Sequence, residues 1–200
     1  MDLYRKQIDD YLDDISDGLL IGNPFNIASL LAAIASSFGG MVCYLSETGS
    51  EYSEVNKRLT KTRIQLEQYR GTFKQLTKIF NNRPKQKEQL FSDESNNNEI
   101  QVNESIELYI DLIKHCNEVI SFLATVKDFG SKDYYSEIAT AAILIKASVQ
   151  ISNLLVTKKI KYIKIEELKT NYKRRTSTLS IDITKTADSI FNSITREISS

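Results

Sequence analysis

Apolar residues recur every three or four positions through most of this 200-residue chain, which is the spacing of amphipathic helices. The clearest run, in residues 51–80, alternates steps of four and three and predicts one long helix with a single apolar seam. Its seam residues are Val55, Leu59, Thr62, Leu66, Tyr69, Phe73, Leu76 and Phe80. Such a seam can join two chains, but a bundle with short loops buries the same pattern internally, and we favour internal packing.

Two other segments are almost free of charge. No charged residue lies between Asp17 and Glu47, and Lys146 alone interrupts residues 138–156. The first segment is ample for the roughly 20 residues that a bilayer span needs, and the second is close to that length. The first is rich in Ala and Ser, which lipid insertion favours far less than Leu or Ile, and Lys146 would cost about 2.5–3.5 kcal/mol at mid-membrane. We therefore predict two buried bundle helices, with permanent membrane spans and conditionally inserted helices as the alternatives.

The remaining pattern completes an all-α fold. Residues 2–17 predict a short, acidic amphipathic helix, and Asn23 followed by Pro24 predicts the start of the next helix. Asn clusters and Pro84 predict a long loop near 82–102. Further helices follow from about Asn103, from Asp133 and from Glu166. The predicted architecture is a four-helix bundle with an additional short N-terminal helix, divided into an N-terminal helix at 1–22 and a bundle domain at 23–200.

Charge excludes one class of partner and singles out two segments. The 26 basic and 26 acidic side chains cancel, whereas a dedicated nucleic-acid binder carries a basic excess, so we predict no nucleic-acid partner. The first 17 residues are acidic, and a late segment is basic. The two segments could pair, the basic one could face anionic lipid, or both could be solvated faces. The candidates for lipid contact are Lys158, Lys159, Lys161, Lys164, Lys173, Arg174 and Arg175.

No pattern of catalytic residues is visible. His115 is the one histidine and is expected at a helix rim, and no HExxH, CxxC or GK[ST] motif occurs. Cys43 and Cys116 lie far apart in apolar contexts, and Gly39-Gly40 is expected to permit close helix contact or a kink. The sequence therefore predicts a protein that is not an enzyme, with no cofactor, no metal and no small-molecule substrate.

One resemblance points to a function. The run NPFNIASLLAAI at 23–34 resembles the start of the fungal HeLo and HeLo-like domains, which open with an Asp-Pro-hydrophobic-Ser-Ile-Ala pattern and a small-residue apolar helix. The long charged helix at 50–80, the helix at 104–123 and the closing residues 165–181 follow the same order. The resemblance implies a necroptosis-type four-helix bundle that acts on membranes. It also implies membrane-insertion candidates, which are Pro24, Phe25, Ile27, Leu30, Leu31, Ile34, Phe38 and Leu45.

These observations predict a membrane-targeting, oligomerising domain of the cell-death or immune-effector type. The expected partners are anionic membrane lipid and either a second copy or a partner helix. The alternative is a non-enzymatic adaptor that acts through coiled-coil-like packing of the seam at 55–80. The start of the chain lacks the basic and apolar regions of a secretory signal, so the expected location is cytoplasmic, with conditional membrane association.

Overall fold

The chain folds into a helical bundle, seen in a computed structural model that describes residues 24–47, 53–82 and 95–199. These ranges contain five α-helices, and a short 3₁₀ helix at Lys132–Tyr134 precedes the fourth. The all-α helical bundle predicted from the sequence is therefore confirmed. The α-helices are α1 (Pro24–Ser46), α2 (Glu54–Asn81), α3 (Ser95–Phe129), α4 (Tyr135–Ile160) and α5 (Glu166–Ser199).

Successive helices run in opposite directions. The hydroxyl of Ser29, near the start of α1, donates to the Phe73 carbonyl near the end of α2 at 2.7 Å. The hydroxyl of Ser148 in α4 donates to the Ala28 carbonyl at 2.7 Å, and the Ser131 N–H, just before α4, donates to Ser46 Oγ at the end of α1 at 2.8 Å, so α4 also runs antiparallel to α1. One end of the bundle, which we call the site end, therefore carries the first residues of α1, α3 and α5 and the last residues of α2 and α4.

Helix α1 packs between α2 and α4 and also touches α3. Its inner face consists of small residues together with Phe25, Val42 and Cys43. At Gly39 the helices come so close that an added Cβ would lie 2.7 Å from Leu123 and 2.9 Å from Leu66. The close contact expected for Gly39-Gly40 is thus present at Gly39, where a larger side chain would force Leu123 and Leu66 to shift.

The two nearly charge-free segments are α1 and α4. Within the described ranges, Pro24–Ser46 and Lys132–Ile160 are long and apolar enough to cross a membrane, a property that core helices of bundles share. Each buries one face in the bundle, which accounts for much of its apolar character. Lys146, the one charged residue within 138–156, lies at the edge of the bundle, where its Nζ is 2.6 Å from Asp188 of α5.

The heptad seam of α2 faces the bundle interior over most of its length. Leu59, Leu66, Phe73 and Leu76 are buried. Tyr69 and Phe80 are partly buried against the same core, while Val55, in the first turn, is exposed. The seam is thus used for packing within the chain.

Several boundaries differ from the predicted ones. Helix α3 begins at Ser95, about two turns before the predicted start at Asn103. The prediction missed these turns because their residues are polar and show no apolar periodicity. The predicted loop near 82–102 is therefore shorter at its far end. The alternating segment 157–165 belongs to the end of α4 and to a break before α5. The predicted helix at 1–22 lies outside the described residues, so that helix and the boundary at 22–23 stay predictions.

Candidate functional site

A depression of about 420 Å³ lies on the outer face of α3 at the site end. Because its lining residues are three or four positions apart, they share one helical face. Three of them carry carboxylates, so we call the feature the acidic depression. It is lined by Ile100, Asn103, Glu104, Glu107, Leu108 and Asp111.

Glu107 joins the acidic depression to α5. The Arg175 guanidinium donates to both carboxylate oxygens of Glu107, at 2.7 and 2.9 Å. This hydrogen bonding lowers the pKa of Glu107, against a smaller opposing effect of burial. Tyr172, one turn earlier on α5, also bonds Glu107. Glu107 is therefore held in place by charge-assisted bonds and positions the two helices.

Two further polar groups border the acidic depression. Lys114 Nζ lies 2.8 Å from Asp111, one turn along α3. Asn103 Oδ1 is buried and has no hydrogen-bond partner among the residues that the structure describes. A buried acceptor without a partner is costly.

His115 lies one turn beyond Asp111 and does not line the acidic depression. Its ring packs against those of Tyr69 and Phe73, with centroids 5.7 and 6.4 Å apart. Burial lowers the pKa of His115, partly offset by Asp111, so the ring is neutral at pH 7. This half-buried position agrees with the helix rim expected from the sequence.

The basic residues predicted to contact lipid also lie at the site end. Five of them are exposed, namely Lys158, Lys161, Lys164, Lys173 and Arg174. Lys159 is half-buried, and burial lowers its pKa. Arg175 pairs with Glu107, while Lys127 of α3 lies 3.8 Å from Glu197 of α5, so α3 and α5 run parallel. This register brings the start of α5 beside the first residues of the acidic depression.

The membrane-insertion candidates divide between the core and the surface. Phe25 is fully buried, and its ring lies 4.7 Å from Phe80 and 5.4 Å from Tyr109. The others line the outer side of α1: Ile27, Leu30, Leu31 and Phe38 are half-buried, and Pro24, Ile34 and Leu45 are exposed. Their entry into lipid stays a prediction.

Other chemistry-bearing groups lie apart from the acidic depression. Burial raises the pKa of both Cys43 and Cys116 to about 12, which makes them unreactive thiols. In the parts of the chain that the structure describes, no group of three His, Cys, Asp or Glu residues could hold a metal ion. Sequence reasoning missed the acidic depression, because it followed the apolar positions of α3. The signal was present in the spacing of Glu104, Glu107 and Asp111 on one helical face.

Comparison with known proteins identifies the family. The sequence model of the formiminotransferase-cyclodeaminase family matches residues 26–178. The crystal structure of formiminotetrahydrofolate cyclodeaminase from Thermotoga maritima matches 96% of this chain and 98% of that chain, with a TM-score of 0.65. At 15% sequence identity, this likeness shows the fold alone. No curated protein matches the chain.

These findings overturn the predicted function. The resemblance to HeLo domains is wrong, because it rested on the order of generic apolar and charged helices, which many bundles share. The membrane-acting cell-death function and the adaptor alternative are wrong with it. The predictions that the protein is not an enzyme and has no small-molecule substrate are contradicted by a family named after enzymes that act on folate.

The physical reason for the error is that the charge-free helices, which suggested membrane insertion, pack as core helices of a bundle. The family match covers nearly all of α1, all of α4, the acidic depression and all seven of the candidate basic residues from Lys158 to Arg175. On that match, which spans well over half of the sequence, the chain belongs to the formiminotransferase-cyclodeaminase family.

Proposed function

We propose that this protein closes a ring on a tetrahydrofolate that carries a formimino group and releases ammonia. The observation that carries the proposal is the family match over residues 26–178. The near full-length likeness to formiminotetrahydrofolate cyclodeaminase supports it at the level of the fold.

The reaction defines what a site must do. A protonated formimino group is an amidinium cation. The neighbouring arylamine nitrogen of the folate attacks its carbon, and a new carbon–nitrogen bond forms. The bond to the terminal nitrogen then breaks, and this nitrogen leaves as ammonia with the proton that the arylamine gives up. The positive charge stays on the ring product, so the reaction needs an anionic environment and a route for one proton.

The acidic depression meets both requirements. Glu104 and Asp111 lie on one helical face and offer carboxylates to the amidinium cation. Because Glu107 is fixed by Arg175, we assign it a positioning role and assign the proton transfer to Glu104.

The basic segment at the site end suits the other end of the substrate. Folates carry a glutamyl tail whose carboxylates are anionic at pH 7. Lys158 and Lys161 at the end of α4 are exposed at the same end of the bundle as the acidic depression. The residues that suggested lipid contact thus fit a small anionic group as well.

A direct assay tests the proposal. The purified chain is mixed with formiminotetrahydrofolate, and both the absorbance of the cyclised product and the released ammonia are followed. We expect equal amounts of the two products. Glu104→Gln is expected to lower kcat about 100-fold or more, the size of a typical acid–base contribution. The matched control is Glu54→Gln, an exposed glutamate at the opposite end of the bundle.

Two outcomes would contradict the proposal. Absence of turnover by the folded chain would overturn the enzymatic function, even if the folate binds. Full activity of Glu104→Gln would overturn the assignment of the acidic depression and leave the reaction itself standing. Calorimetry on the same proteins measures binding of the folate. It shows whether a protein without turnover has lost the substrate or only the reaction.

A further inference from the structure

A second depression lies between α3 and α5, in the half of the bundle away from the site end. Its volume is about 360 Å³, and its walls are the last turns of α3 and the later turns of α5. Along α3 it begins at Ala124, 13 residues beyond Asp111, so about 20 Å of helix separates it from the acidic depression. We call this feature the far groove; it is lined by Ala124, Lys127, Asp128, Lys185, Thr186, Ser189, Ile190 and Ser193.

Two lysines from different helices line the far groove. Lys185 of α5 is exposed and makes no hydrogen bond or ion pair with any residue that the structure describes. Lys127 of α3 lies 3.8 Å from both Asp128 and Glu197. That distance is too long for a hydrogen bond, so the N–H groups of Lys127 stay available to a ligand. Two ammonium groups with unused donors favour an anion between them.

Hydroxyl groups of α5 line the same groove. Thr186, Ser189 and Ser193 follow at steps of three and four, which places them on one helical face. The Thr186 hydroxyl donates to the Asp182 carbonyl at 3.0 Å. Ser189 is exposed, and its hydroxyl bonds no other residue in the described part of the chain. The Ser189 hydroxyl can therefore donate to an oxygen of a bound anion.

The carboxylates near the far groove do not cancel its positive charge. Asp128 lines the groove, with a side chain that is 60% exposed to water. Glu197 lies outside the lining and is paired with Lys132, whose Nζ is 3.2 Å away. These two carboxylates face three ammonium groups, from Lys127, Lys132 and Lys185, so the region keeps a net positive charge.

We propose that the far groove binds a small organic phosphate, at a site separate from the acidic depression. A phosphate monoester carries a charge of about −1.5 to −2 at pH 7 and three strong acceptor oxygens. Those properties match two ammonium groups beside a hydroxyl donor. The volume of about 360 Å³ is within the range of small-molecule sites. Ala124 and Ile190 offer apolar contact to the carbon skeleton of the ligand.

Calorimetry on the full chain tests the proposal, with phenyl phosphate and inorganic phosphate as probes at matched ionic strength. We expect one phenyl phosphate to bind per chain, about tenfold more tightly than inorganic phosphate, because its ring adds apolar burial. Saturating formiminotetrahydrofolate should not displace phenyl phosphate, since the two ligands would occupy different depressions. This binding does not depend on turnover of the folate, so it stands or falls separately from the proposed function.

Three variants test the location. Lys185→Ala should weaken phenyl phosphate binding about tenfold, because it removes one charge-assisted bond. The fold should be unaffected, since Lys185 has no partner among the described residues. Asp128→Asn should tighten binding about threefold or more, because it removes the one carboxylate of the lining. Lys61→Ala is the matched control: Lys61 is an exposed lysine near the start of α2, at the same end of the bundle, and its loss should change nothing.

Four results would overturn the proposal. The first is no binding of phenyl phosphate at millimolar concentration. The second is equal weakening by Lys185→Ala and Lys61→Ala, which would mean general attraction to a charged surface. The third is binding that survives Lys185→Ala and is lost in Lys158→Ala, which would place the anion at the basic segment. The fourth is inorganic phosphate that binds as tightly as phenyl phosphate, because the groove would then not hold an organic group.

Discussion

At the scale of single residues, the pair formed by Glu107 and Arg175 has the clearest energetic consequence. Two charge-assisted hydrogen bonds join α3 to α5 across a partly exposed interface. Partly exposed ion pairs contribute less than about 1 kcal/mol, because water screens them. Their contribution is nevertheless visible in the pH dependence of stability, since the Arg175 bonds hold the pKa of Glu107 below its ordinary value of 4.5.

The first prediction concerns this pair. A carboxyl group with a lowered pKa in the folded state adds stability above its unfolded pKa, and that stability is lost as the pH falls through the folded pKa. Glu107→Gln should therefore lower the free energy of unfolding by up to about 1 kcal/mol at pH 7. The difference from the wild type should shrink as the pH falls below 4.5 and vanish below the lowered folded pKa of Glu107, because its carboxyl is then protonated and neutral like the glutamine amide. Urea denaturation at pH 7 and at the lower pH measures the free energy of unfolding, with Glu167→Gln on α5 as the control. An equal loss of stability at both pH values would mean that Glu107 acts through packing alone.

At the scale of secondary-structure elements, the approach of α1 to its neighbours depends on one glycine. The sequence places Gly39 and Gly40 side by side in an apolar helix, and nothing in the local pattern tells them apart. The tertiary structure does: a Cβ on Gly39 would meet Leu123 and Leu66, whereas a Cβ on Gly40 would meet no atom within 4 Å. Helix existence was predictable from periodicity, but which residue touches another helix depended on the packing of α2 and α3.

The second prediction uses this matched pair. Gly40→Ala should stabilise the fold by about 0.5–1 kcal/mol, because alanine restricts the unfolded chain and favours the helix. Gly39→Ala gains the same backbone term but must displace two buried leucines, and overpacking typically costs 1–3 kcal/mol. We expect a net destabilisation of about 1 kcal/mol. Thermal unfolding of the two variants checks this, and a stabilised Gly39→Ala protein would show that the leucines move freely.

Helix boundaries were the least predictable feature at this scale. Helix α3 extends back to Ser95 through a polar, Asn-rich stretch that indicates a loop by composition. Once residues 106–126 are fixed by burial, each added turn needs only to extend an existing helix, which is far easier than starting one. Composition reports intrinsic preference, and tertiary packing overrides it.

At the scale of the whole molecule, the charge distribution acquires a meaning that the sequence alone did not give it. The acidic depression on α3 and the basic segment between α4 and α5 are about 50 residues apart in sequence, yet the parallel register of α3 and α5 brings both to the site end. A bipolar site of this kind suits a ligand with a cationic and an anionic end.

The third prediction follows from the proposed function. The double variant Lys158→Glu and Lys161→Glu should raise KM for formiminotetrahydrofolate about tenfold and leave kcat unchanged, because these residues would bind the tail equally in the ground and transition states. The increase should shrink at high salt, since exposed charges are screened. Lys57→Glu with Lys61→Glu, at the opposite end of the bundle, is the control. A fall in kcat with unchanged KM would contradict the tail-binding role.

The sequence by itself determined the all-α class, the seam of α2 and the two apolar helices, because these depend on periodicity along one helix. It could not determine what the apolar helices do, since core packing, membrane insertion and docking to another chain all favour the same residues. Only the tertiary structure decided that α1 buries small residues on one face and exposes larger apolar ones on the other. The carboxylates of the acidic depression share one face of α3 by their spacing alone. The pairing of Glu107 with Arg175 depends on where α5 lies against α3, and contacts between residues distant in sequence leave no local pattern to follow.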